Sequence, residues 1–236
     1  MKRIAIFAAA VIAFVGLAPR AHAQDINVNG SLGNLYQNLY TSTHMFGGAG
    51  GGGTTRPTRR KSAPARWRNS PKTSAEIKRI VAAVPAANRA ATRTVLEQVL
   101  AGYPKIVRAA SQQSGVSLSA TDPRDAGALA GTLSYEILTG KELTNTQFAA
   151  NRALSRRLFG NGYVSASNMQ ESGETYALAA GLMVSLQAWA DNPKNPDPEL
   201  TRQQLRGLAQ DTFRIGYRDA DYTKFAPTSS GLKKVN

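Results

Sequence analysis

The chain contains no cysteine. Disulfides, thiolate nucleophiles and thiolate metal sites are therefore excluded. Histidine is nearly as scarce: there are two in 236 residues, His22 and His44, both ahead of the part that reads as folded. Histidine-based triads, Cys/His nucleophilic pairs and ordinary zinc sites have nothing to be built from in that part. Phosphate-binding fingerprints are missing too. The glycine run at 47–53 lacks the Lys-Ser/Thr pair of a Walker loop and the flanking strand and helix. The sequence thus assigns no catalytic residue, no metal ligand and no cofactor. Acidic charge is also in short supply, with 15 Asp and Glu against 29 Lys and Arg, a net of +14.

Only one long apolar run is present, and it comes first. Lys2 and Arg3 precede an uncharged stretch from Ile4 to Ala18, followed by Pro19 and then Ala21-His22-Ala23. A positive start, a short apolar core and a small-x-small ending predict a signal peptide cleaved after Ala23. The run is shorter than the about 20 residues of a membrane span, and no later stretch is apolar enough to serve. The expected compartment is periplasmic or secreted. Without cysteine, stability there has to come from a packed core.

Residues 24–71 read as a disordered Gly/Pro/Arg-rich tether. Asp25 to Asn29 alternates like a very short strand with nothing obvious to pair with. The glycine run is a flexible linker. Beyond it, Arg56, Arg59, Arg60, Lys61, Arg66 and Arg68 are interspersed with Pro57, Pro64 and Pro71, a composition that buries too little apolar surface to offset chain entropy. These six cations are the anion-binding candidates. Basic charge attracts phospholipid head groups, lipopolysaccharide, acidic wall polymers or nucleic acid, the last not favoured. The lone Trp67 between Arg66 and Arg68 is a weak stacking signal and fits local packing better.

From residue 72 to 236 the periodicity predicts an all-α domain, a compact bundle of six or seven helices. Thr73 and Glu76 form a capping box before Ile77, Ile80, Val81 and Val84, with Pro85 as the stop. A helix over about 87–101 ends at Gly102, and a short one runs from Pro104 to about Gln113. Asp122-Pro123 is a cap followed by a first-turn proline, opening a helix closed by Gly140. Within it Gly127 and Gly131 each cost about 1 kcal/mol against alanine. Close approach of another helix accounts for them, and a ligand-facing groove is the alternative. Thr144 and Gln147 form a second box, with Leu143 and Phe148 as a staple. Ser167 and Gln170 open the longest helix, to about Ala190, apolar on most sides and hence central. Asp197-Pro198 opens the last, to about Ile215 with Gly216 as stop. Residues 217–236 read as irregular.

The candidate polar core or cleft comprises Gln170, Glu174, Asp125 and Arg152. Glu171 and Glu174 share one helix face, and first-turn acids that complement the helix dipole are the simpler explanation. A buried Glu174 would need a partner such as Arg124, Arg152 or Arg156. Arg152, Arg156 and Arg157 form a basic stripe that reads as a solvated face, with anion binding as the alternative. Gln170-Glu171-Ser172-Gly173, followed by Gly181-Leu182-Met183, resembles pieces of the lysozyme-like lytic transglycosylase pattern. The spacing is too short, however, and Val184 stands where a glutamine belongs.

Several segments together resemble a bacterial exported all-helical family catalogued only as a domain of unknown function. They are Ser114-Gly115-Val116 leading to Asp125-Ala126, Gln170 and Glu174 opening a long apolar helix, Phe213 to Tyr217, then Phe225-Ala226-Pro227-Thr228 and Gly231-Leu232. The resemblance spans about 110–232 and implies an autonomous helical domain in which Gln170, Glu174 and Asp125 recur without an assigned role. This chain departs from the pattern at Tyr217-Arg218-Asp219.

These readings lead to an exported, non-catalytic helical protein that binds an unknown protein or anionic envelope component. Electrostatic binding of an anionic polymer or nucleic acid through the tether is one alternative. A carboxylate-based cell-wall glycan hydrolase is the other.

Overall fold

The computed structural model describes residues 66–160 and 166–235. The signal peptide at 1–23, the tether from 24 to 65 and the candidates Arg56, Arg59, Arg60 and Lys61 lie outside the described residues. Among those described there are six α-helices: α1 (Ala75–Ala83), α2 (Arg89–Ser114), α3 (Pro123–Thr139), α4 (Asn145–Gly160), α5 (Ala166–Ala190) and α6 (Pro198–Tyr217). The all-α bundle expected from the periodicity is the architecture observed.

Helices α3 and α5 form the centre. They pack on each other and on α6, while α4 lies against α3, and α1 and α2 close the other side against α5. From Tyr176 onward helix α5 is apolar on most sides, and its Ala177, Leu178, Ala180, Met183 and Val184 are all buried, as a helix with so little polar surface must be. Starts and stops follow local chemistry. Asp122 caps α3 by accepting from the Arg124 N–H, with Pro123 in the first turn, and Gly140 closes the helix at φ 70°. The box of Thr144 and Gln147 is reciprocal, at 2.9 and 3.2 Å. Its staple residues Leu143 and Phe148 are both buried. Asp197 caps α6 through the Leu200 N–H.

Four expectations are corrected. Gly102 and Pro104 do not divide α2. Proline at 104 removes the N–H that would bond the Leu100 carbonyl, and the Asn69 side-chain amide donates to that carbonyl instead, at 2.9 Å. The helix therefore continues, and among the described residues α2, with 26, is longer than α5, with 25. The cap of α1 is Ser74 and not Thr73: the Ser74 hydroxyl accepts from the Ile77 N–H at 3.1 Å, while Glu76 turns to Arg79. Gly216 does not stop α6, because Arg218 takes the left-handed position at φ 54°.

The C-terminal segment is also more regular than expected. It forms an antiparallel hairpin, β1 (Phe225–Thr228) and β2 (Gly231–Lys234), with Phe225 opposite Lys234 and Thr228 opposite Gly231. Strand β2 rests on α4. Phe225 meets Phe213 edge-on at 5.1 Å and Tyr217 at 5.5 Å between ring centroids, an arrangement favoured by the ring quadrupoles.

Close approach explains one of the two glycines in α3. A Cβ at Gly131 would lie 3.0 Å from the Tyr217 hydroxyl of α6. Gly127 instead borders a cavity of about 60 Å³ between α3, α4, α5 and α6, together with Asn151, Ser155, Tyr176 and Tyr217.

Candidate functional site: a seat for an N-terminal strap

The expected tether extends to residue 71, but its last residues are packed. Trp67 is only 3% exposed, and the strap formed by residues 66–70 lies across α2 and α5. A lone aromatic in a polar, arginine-rich stretch was the available signal, and the burial of a large apolar side chain outweighs the polarity of its neighbours.

Trp67, Arg68 and Asn69 are each held by a distinct contact. The Trp67 N–H donates to the Thr121 carbonyl at 2.8 Å. Its ring lies over Gly173 of α5, where a Cβ would fall 2.2 Å from Cγ and 2.5 Å from Cδ1 of the indole. Only a glycine leaves that slot open. The Tyr103 ring of α2 flanks it at 6.1 Å between centroids. Gln170 reads the main chain of the next residue in both directions. Its Oε1 accepts from the Arg68 N–H, and its Nε2 donates to the Arg68 carbonyl, each at 2.8 Å. Asn69 then reaches the Leu100 carbonyl.

Glu174, one turn along α5 from Gln170, holds the start of α1. Its Oε2 accepts from the Ser74 hydroxyl at 2.7 Å and from the Glu76 N–H at 3.1 Å. Its Oε1 accepts from Gln170 Nε2 at 2.7 Å. A carboxylate at a helix N-terminus is favourably placed against the helix dipole and the unpaired first-turn N–H groups. Glu174 is 3% exposed, and the three donors replace water. Its expected arginine partner is thereby corrected: the three donors found are a hydroxyl, a backbone N–H and a side-chain amide. Burial raises the pKa of neighbouring Glu76 above the ordinary carboxylate value; the bond and charge of Arg79 oppose this, and the charges of Glu171 and Glu174 add to it.

Asp125 and Arg152, the other two candidates, belong to a separate cluster at the start of α3. Asp125 accepts from Arg152 Nε at 2.8 Å, Arg156 Nε at 3.1 Å and the Ser119 N–H at 2.9 Å. Burial alone would raise the Asp125 pKa, but the bonds from Arg152, Ser119 and Arg156 outweigh it and hold the carboxyl below its usual range. Asp122 pairs with Arg124 at 2.7 Å and with Arg156 at 3.3 Å. The basic stripe on α4 is therefore no free solvated face. Arg152 and Arg156 pin α4 to α3, and Arg157 donates to the Ser230 carbonyl of the hairpin turn.

Of the tether cations inside the described residues, Arg66 and Arg68 are exposed on either side of the buried Trp67. The seat also draws in Trp67, which carries only a weak stacking signal, and Asn69, Tyr103, Thr121 and Gly173, none of which composition or spacing singles out as site residues. No group of three or more His, Asp or Glu residues among those described is arranged to hold a metal ion. No helix among them is long and apolar enough to cross a membrane.

An amide reads a peptide's backbone in both directions, one aromatic side chain fills a slot, and a carboxylate caps the helix that follows. No family model, curated protein or solved structure matches the chain.

Proposed function

We propose that the chain is exported and acts outside the cytoplasm as a non-catalytic helical protein that binds a partner, its folded domain carried on the N-terminal tether. Kinship with the exported helical family that residues 110–232 resemble is part of this proposal. One observation carries it. Gln170 and Glu174, the polar pair at the head of the central helix, are engaged in holding a peptide segment and a helix start. Both oxygens of Glu174 already receive hydrogen bonds, so this carboxylate is placed for holding and not for proton transfer. Export is supported by the charge, length and ending of the first 23 residues.

A second reading draws on Arg66 and Arg68, whose side chains face solvent while Trp67 anchors the chain between them. The anchor presents the end of a basic segment at the domain surface, suited to an anionic polymer.

Binding to purified wall polymer and to anionic vesicles at two salt concentrations separates the two readings. Salt-insensitive binding that survives replacement of Arg56, Arg59, Arg60 and Lys61 by alanine supports the helical surface. Binding that falls steeply with salt and disappears in that variant supports the tether. Release of reducing sugar from wall glycan, lost in Glu174→Gln at unchanged melting temperature, overturns the non-catalytic reading. Exported chain whose N-terminus is Gln24 supports cleavage after Ala23, and chain retained in the cytoplasm contradicts export.

A further inference from the structure

Val95 of α2 and Trp189 of α5 are large apolar side chains left 37% and 39% exposed. Both lie at one end of the α2–α5 pair. Near the other end the Trp67 ring meets both Tyr103 and Gly173. Further along, a Cβ on Gly181 would fall 2.5 Å from Cγ1 of Val99. Rising positions on α5 thus face falling positions on α2, and the next turns bring Trp189 towards Val95. The surface around them is uncharged. Helix α5 has no charged residue from Thr175 to Ala190. On α2 between Arg93 and Lys105 the exposed residues include Thr94, Val95, Gln98 and Ala101, and the one charge there, Glu97, turns back to Arg93 at 3.9 Å. In a chain with a net charge of +14, an uncharged band with an exposed tryptophan marks a surface for an apolar partner.

A segment of the same chain carries the complementary pattern. Leu32, Leu35, Tyr36, Leu39 and Tyr40 recur at the spacing of one helix face, with Asn34, Gln37 and Asn38 between them. No Asp, Glu, Lys or Arg occurs from Ile26 to Thr55, so contact between segment and band strips water from no charge. A helix of about ten residues is too short to hold itself together in water, and its apolar face gains only against another surface. The chain joins the fold at Trp67, over Gly173. From Gly173 to Trp189 α5 rises about 24 Å. Residues 41–65, between segment and strap, reach about 85 Å when extended, so the band lies well within their span.

We propose that residues 32–40 dock on the uncharged band of α2 and α5 in the same chain, laying Leu32, Leu35, Tyr36, Leu39 and Tyr40 over Val95 and Trp189. Recognition of a helix in a groove uses anchors of this spacing. Attachment through residues 41–65 presents the segment at an effective concentration of order 1 mM, so a modest intrinsic affinity keeps it docked. Arg56, Arg59, Arg60 and Lys61 then belong to a loop closed at both ends, by the docked segment and by Trp67. The inference goes beyond the partner binding proposed above and does not depend on it.

The absence of cysteine lets a single nitroxide be attached through Asn38→Cys, on the polar side of the segment. In the isotope-labelled chain carrying it, the Trp189 indole and Val95 amide signals are expected to broaden selectively, while Leu208 in α6 keeps its intensity. Reducing the nitroxide restores the lost signals. Adding Leu35→Asp and Leu39→Asp to the same chain should abolish the broadening and leave the Trp67 indole signal, a marker of the intact fold, in place. Absent or uniform broadening overturns the proposal, and so does broadening that survives the two aspartates. A mixture of unlabelled nitroxide-bearing chain with isotope-labelled chain free of nitroxide separates docking within one chain from docking between copies. Unchanged Trp189 intensity in the mixture supports the proposal. Broadening there as strong as in the single labelled chain assigns the band to a second copy and overturns it.

Discussion

Gly173→Ala and Trp67→Ala form a double-mutant cycle with an unusual sign pattern. In the interior of a helix, glycine to alanine stabilises by about 0.5–1 kcal/mol. At Gly173 the added Cβ would lie 2.2–2.6 Å from three ring atoms of Trp67, a distance that a rigid indole wedged against α2 and α5 cannot absorb. The strap has to shift or undock. Large-to-small changes at a buried tryptophan cost about 3–5 kcal/mol. Here the unpaired indole N–H returns about 1 kcal/mol on leaving. Displacing Trp67 is therefore worth about 2–4 kcal/mol net. Gly173→Ala should then destabilise the wild-type chain by about 1–3 kcal/mol, yet stabilise the Trp67→Ala chain by about 0.5–1 kcal/mol. Thermal and urea unfolding of the four chains followed by circular dichroism measures the cycle; for a domain of this size, 1 kcal/mol shifts the melting temperature by about 2–4 °C. Equal stabilisation by Gly173→Ala in both backgrounds would show that the ring does not occupy the slot.

Further outcomes follow from the same structure. Asn69→Ala leaves the Leu100 carbonyl without a donor and should cost about 1–3 kcal/mol; Pro104→Ala, which restores the helical N–H, should recover most of that, and independent effects would contradict the link. Asp125, with its pKa held below the ordinary range, contributes stability that is complete above its unfolded value of about 3.9 and lost as pH falls through its lower folded value. Asp125→Asn should flatten the acid limb of a stability–pH curve below about pH 4, and an unchanged limb would count against the Arg152–Arg156 cluster. Glu76 works in the opposite sense. Its folded pKa is raised, so its contribution is complete below about pH 4.3 and declines as pH rises towards the folded value. Glu76→Gln should remove that decline, and a decline that persists in the variant assigns it elsewhere.

Much of the helical frame was legible because its signals are local. Asp122-Pro123, Thr144 with Gln147, and Asp197-Pro198 each place a side-chain acceptor next to backbone donors within one turn, and such chemistry does not depend on the rest of the fold. The misplacements share one cause: a partner distant in sequence. Pro104 reads as a helix start until Asn69 satisfies Leu100. Gly216 reads as a stop until Tyr217 is tied to Asn151 at 2.9 Å and stacked on Phe213 at 4.5 Å, which keeps α6 going for one more residue. The hairpin escapes notice because its strands are four residues each and owe their place to Phe213, Tyr217 and α4.

The candidate polar residues can be named from the sequence, but their grouping cannot. Gln170 and Glu174 stand out by spacing, Asp125 by the family resemblance and Arg152 by the basic stripe, but nothing local tells that the first pair faces the strap and that the second ties α3 to α4. The strap itself was hidden by composition. Arginine and proline around Trp67 give the average of a disordered segment, while one indole and four main-chain or amide contacts decide its fate.

The central claim is that residues 66–70 are docked on the head of the central helix, and amide hydrogen exchange measures that docking directly. The N–H groups of Trp67 and Arg68 are each bonded across the strap interface, to Thr121 and to Gln170. With about 2–4 kcal/mol of docking free energy, both should exchange roughly 30- to 1,000-fold more slowly than in a free peptide. That protection should vanish in Trp67→Ala while Leu178 and Met183 in the core of α5 remain protected. Exchange of the Trp67 and Arg68 amides at free-peptide rates in the wild-type chain would contradict the account.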